Sequence, residues 1–143
     1  MAQYNQMGAT PNPYTDIPVK NYGGSTLPAN TAVIVDTSNV ISPTSSNTFP
    51  GVAVPGSAGV PVAGVLVADI AAGASGLLRT GGVALIRCEG SITAGTLVQA
   101  STTSGKVGWA KALTSAKAQI GMALSSSTDG ELILVLLQPA NNA

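Results

Sequence analysis

Ser25-Thr26-Leu27-Pro28-Ala29-Asn30-Thr31 and Gly90-Ser91-Ile92-Thr93-Ala94-Gly95-Thr96 are two forms of one phrase. Each leads into an apolar run and then a Ser/Thr-rich turn. Downstream of each lies a Gly-led apolar run, Gly64-Val65-Leu66 after the first and Gly121-Met122-Ala123 after the second. A unit that occurs twice in one short chain predicts a barrel or sandwich with approximate internal symmetry.

Outward from these phrases the pattern is short β-branched runs cut by turn chemistry, so the expected class is all-β. Strands are predicted at 31–36, 62–69, 76–80, 83–88, 96–100, 106–110, 119–124 and 131–138. The Gly81-Gly82 pair is expected to split two of them. Residues 101–105 read as a hairpin loop, and Asp129-Gly130 as a turn. Between 42 and 61 lies a long loop holding Pro43, Pro50-Gly51, Pro55-Gly56 and Pro61. Leu132–Leu137 is apolar on both alternating sets and predicts a central strand buried on both faces. Only 111–118 reads as a helix or, equally, as a loop.

Residues 1–23 differ from the rest. They are polar, and Pro11, Pro13 and Pro18 favour extended backbone. Two readings stand: a docking arm that could reach about 70 Å, or a tail. Tyr4, Met7, Tyr14, Ile17 and Tyr22 supply the anchors an arm needs. The chain therefore divides into an extended N-terminal arm, 1–23, and a single β-domain, 24–143.

Composition excludes much chemistry. There is no histidine, one cysteine, and six basic against six acidic side chains in 143 residues. Neutral-pH proton shuttling and most metal sites need what is missing, so no catalytic, cofactor or metal site is expected. Nucleic-acid binders carry a basic stripe, and none is present. Residues 52–72 are apolar, but Pro55, Pro61, Asp69 and three glycines argue against a membrane span. The polar N-terminus predicts no signal peptide. Low charge also means weak self-repulsion, which suits an assembly.

Few side chains invite a functional role. Ser104 with Lys106, and Ser115 with Lys117, sit in turn sequence and read as solvated surface rather than Ser–Lys dyads. Asp129 and Glu131 read as turn former and strand-edge charge. Cys88 reads as a small buried hydrophobe beside Ala84 and Ile86. Arg87 and Glu89 share a strand face with Val83 and Leu85, as an ion pair or as a contact between subunits. Trp109 reads as a core lid or an interface anchor.

The order Gly81-Gly82-Val83-Ala84-Leu85-Ile86, Ile92-Thr93-Ala94-Gly95-Thr96-Leu97-Val98, Gly105-Lys106-Val107, Ile120-Gly121-Met122-Ala123-Leu124 and Gly130–Leu137 resembles the capsid cement, or decoration, proteins of tailed phages, of the DUF2190 type. Ala63–Val67 followed by Gly73 and Gly76-Leu77-Leu78 resembles the preceding unit of that family. The likeness covers roughly residues 25 to 138. It implies a small β-barrel or sandwich on the exterior of a phage head, made in the host cytoplasm and often trimeric. Its implied partners are the major capsid protein and further copies of itself. Its implied task is to tie capsid subunits together after expansion. Tyr4, Tyr14, Ile17, Tyr22, Phe49, Arg87, Glu89 and Trp109 are the expected contacts with shell or neighbour. The rival is a virion- or cell-surface binding module, for instance for carbohydrate, with Trp109 as its platform.

Overall fold

Runs of Val, Ile, Leu and Ala separated by Gly- and Pro-bearing turns can bury their side chains and pair their backbone as a sheet. A computed structural model describes residues 14–114 and 117–141, the side chains of 139–141 excepted. Its strands are β1 (Tyr14–Lys20), β2 (Ala32–Val35), β3 (Val52–Ala53), β4 (Gly64–Leu66), β5 (Ser75–Arg87), β6 (Leu97–Ala100), β7 (Ala110–Ala112), β8 (Ala118–Ala123) and β9 (Leu132–Asn141). They form one curled antiparallel sheet, a half-barrel, in the order β3-β2-β4-β5-β9-β8-β6-β7, with β1 also on β5. A parallel bridge between Cys88 and Ala110 brings β7 back against the end of β5. The all-β expectation is met. Among the described residues there is no helix, the described part of 111–118 included, and so none long and apolar enough to cross a membrane.

The repeated phrase is a repeated hydrogen-bond pattern. Leu27 and Ile70 exchange two backbone bonds of 2.9 Å, as do Ile92 and Ser127. Asn30 N donates to Leu66 O and Leu66 N to Thr31 O. Gly95 N likewise donates to Ala123 O, and Ala123 N to Thr96 O. Asn30 (φ 60°) and Gly95 (φ 91°) share left-handed backbone, which asparagine tolerates better than other side chains. In register, Ala32–Val65 and Val65–Arg79 of one unit match Leu97–Met122 and Met122–Leu136 of the other. The pairing of β1 with β5 matches that of β5 with β9, Pro18–Leu77 corresponding to Leu85–Leu134. The chain is thus two five-stranded units that share β5.

That sharing corrects one expectation. β5 runs 13 residues through Gly81-Gly82 without a break. The glycines and Thr80 instead absorb a register shift opposite Thr15/Asp16, and there β1 gives way to β9 as the neighbour of β5. Each unit keeps its own core. Val19, Leu27, Val33, Val52, Leu66, Ile70 and Leu78 fill the first. Ile86, Ile92, Val98, Ala110, Ala123, Ile133 and Val135 fill the second, with Cys88 among them. Where the first unit has Ile70 against Gly76, the second has Ser127 and Ile133 at the matching places. The large and small residues have changed sides. A Cβ on Gly76 would lie 2.6 Å from Cγ1 of Ile70.

Of the segment expected as an arm, residues 1–13, Tyr4 and Met7 included, lie outside the described residues. Tyr14–Lys20 is extended and paired along its whole length with β5, and Val19 is buried in the first core. The loop expected over 42–61 contains β3. The strand expected at 106–110 begins only at Ala110, because Lys106 N and Trp109 N are spent on turn bonds to Thr103 O and Lys106 O. Leu132–Leu137 is central but buried on one face only: Ile133, Val135 and Leu137 point inward, while Leu132 and Leu134 are exposed.

Candidate interaction surface

The polar side chains are engaged in holding loops. Lys106 Nζ lies 2.8 Å from Asp129 Oδ1, and that hydrogen bond raises its pKa, the reverse of what a lysine base beside Ser104 needs. The backbone N–H of Gly90 and then Lys106 lower the pKa of Asp129. Ser115, read with Lys117 as solvated surface, lies outside the described residues. Cys88 is buried, its thiol bonded to Thr128 O at 2.9 Å and its pKa pushed up by burial. Among the described residues no three His, Cys, Asp or Glu side chains stand close enough to hold a metal.

Candidate contact residues gather at matching corners of the two units. At the first, Tyr22 donates to Phe49 O at 2.9 Å, and Lys20 Nζ sits 4.9 Å from the Tyr22 ring centre. Lys20, Tyr22, Phe49 and Ser75 line a depression of about 310 Å³. At the second, Arg87 and Lys106 each lie 5.7 Å from the Trp109 ring. Trp109 is half-buried between two cations rather than an open platform.

Arg87 and Glu89 form no ion pair. The strand ends at Arg87, whose guanidinium donates to Gly130 O at 2.7 Å. Glu89 accepts from the hydroxyls of Ser101 and Thr103, and the Ser101 bond is the main cause of its lowered pKa. On β1, Ile17 and Tyr14 are exposed, and the Arg79 guanidinium stacks 3.7 Å from the Tyr14 ring while bonding Asp16.

One apolar face went unread in the sequence. Val83 and Leu85 of β5, Leu132, Leu134 and Leu136 of β9, and Met122 of β8 occupy the outward side of the sheet, with Leu97 of β6 at its flank. Leu124 extends the face beyond the end of β8. Leu85 and Leu124 are each 45% exposed. The signal was present, since Leu132–Leu137 is apolar on both sets, but a second apolar face does not say whether one chain or two will cover it.

The likeness of fold is to a head fiber. The solved structure of the head fiber gp8.5 N base in bacteriophage phi29 matches with a TM-score of 0.63 over 89% of this chain and 98% of that one, at 11% identity. At that identity the match establishes a common fold. No known family model matches the chain, and no curated protein does.

Proposed function

We propose that the protein is a structural component of a phage head, a decoration protein on the exterior of the expanded shell that ties major capsid subunits together as a homotrimer. The observation that carries this reading is the fold shared with nearly the whole of a phage head-fiber base. The apolar outward sheet face supports it, because a protein that works as part of an assembly has a use for such a surface. Ile17 and Tyr14 on β1, the Tyr22–Phe49 corner and the Arg87–Trp109 corner are the contacts assigned to shell or neighbour. Several modest contacts per copy, multiplied by oligomerisation, suffice for tight attachment.

Co-sedimentation tests it. Cognate heads stripped of this protein, expanded and unexpanded, are mixed with the purified chain. Saturable binding to expanded heads alone is expected. Binding to neither form overturns the reading.

A further inference from the structure

The two units meet within one chain, and the contact between them shows what their surfaces accept. Ala32 and Val65 point out of the first unit, yet each is 1% exposed and belongs to the same buried cluster as Ala84 of the second. Ala32 N donates to Gly108 O at 2.8 Å and Arg87 N to Asn30 O at 3.0 Å, so backbone bonds also close this contact. The β6–β7 loop rests on Thr31 and Ala32 through Gly108.

Each half of that contact occurs once more, unmatched among the described residues. The counterparts of Ala32 and Val65 in the second unit are Leu97 and Met122, which border exposed Leu124 and Leu134. The counterpart of Ala84 in the first unit is Ile17, 37% exposed where Ala84 is 2%. The counterpart of the β6–β7 loop is the β2–β3 segment, which carries exposed Val40 and Ile41.

We propose that a second copy of this chain repeats the contact between the units. Its Ile17 side and β2–β3 loop seat on the Leu97–Met122–Leu124–Leu134 face of the first copy. The contact is head-to-tail, because the two surfaces differ, and it builds a ring if the rotation closes. Four strands about 4.8 Å apart and five residues long make a face of roughly 300 Å². A stable interface buries about 800 Å² per partner, so the sheet face alone falls short. The β2–β3 loop supplies the remainder, as the shorter β6–β7 loop does within the chain. Arg87, opposite Leu132 in register, borders the eight apolar side chains, and its guanidinium keeps the Gly130 carbonyl as its partner on docking.

This inference rests on the self-association proposed above but not on capsid binding. The test is the mass of the full-length protein by light scattering after size exclusion. The wild type is expected as an oligomer, and Leu134→Asp and Ile17→Asp each as a monomer that keeps the wild-type far-UV circular dichroism spectrum and a cooperative melt, at a midpoint lowered by the lost association. An equimolar mixture of the two variants is expected to give dimers and nothing larger, because one intact face remains on each. Leu124→Asp, beyond the end of β8, repeats the experiment should Leu134→Asp disturb folding. A monomeric wild type, variants that assemble like it, or a mixture that fails to pair overturns the proposal. Loss of head binding with assembly intact counts against the capsid role instead.

Discussion

Gly64 and Gly121 stand at the same place in the two units, and the reason is steric. A Cβ at Gly64 would overlap the carbonyl oxygen of Arg79, and one at Gly121 the carbonyl oxygen of Leu136. Neither backbone can retreat without breaking its ladder. Gly121→Ala and Gly64→Ala should therefore each destabilise the protein by about 2 kcal/mol or more, read from denaturant unfolding. Gly73→Ala lacks that overlap and serves as a comparison for the strain of positive φ alone. Glu89 makes a different prediction. Its carboxylate is held below its ordinary pKa of 4.5 by the Ser101 hydroxyl first, with that of Thr103 adding to it. A lowered folded-state value means stability that is present above about pH 4.5 and lost as pH falls through the folded value. Glu89→Gln should lower stability at pH 7 and flatten the loss between about pH 5 and 3, as unfolding midpoints across pH will show. Neither role was legible in the sequence. The echo marked Gly64 and Gly121 as equivalent, but which carbonyl faces them depends on strand register. Glu89 was placed on a strand that stops two residues short of it.

β1 makes the test at the scale of the element. It occupies one stretch of β5 as β9 occupies the next, and it contributes Val19 to the first core. Removing residues 1–20 should lower the melting temperature well below that of a chain lacking only residues 1–13, in a circular dichroism melt. Equal melting of the two chains would mean that β1 holds nothing together. Prolines and polar residues made this segment look unlike a strand. Pro18 fits because, among the described residues, β1 is bridged on the side away from β5 only at Lys20, to Gly51, and a strand with an open side can spare a donor. β9 shows the opposite difficulty. Its position and period were plain, yet its two apolar faces were read as two buried faces. Alternation reports which side chains shun water, and an outward Leu134 shuns it as much as an inward Ile133. The Gly81-Gly82 pair looked like punctuation because glycine usually ends strands, whereas here it accommodates a shift between two partners of one strand.

For the molecule as a whole, the shared strand decides how it unfolds. Neither unit owns a complete set of strands without β5, so the two cores should be lost together. Calorimetry should give one transition whose van't Hoff and calorimetric enthalpies agree, and two resolved transitions would show that the halves are independent. The duplication was legible in the sequence because both copies kept their turn phrases. The fusion was not, since no residue in β5 announces that it belongs to two units. The matched corners were only half legible: Trp109 and Phe49 stood out by rarity, but their pairing with Arg87 and Tyr22 needed the curl of the sheet. A history of copying ordinarily frees each descendant to drift. β5 withholds that freedom, because every change in it is inherited by both copies in the same generation. Divergence between the units, as in the exchange of Ile70 and Gly76 for Ser127 and Ile133, therefore has to be settled against a strand that neither can alter alone.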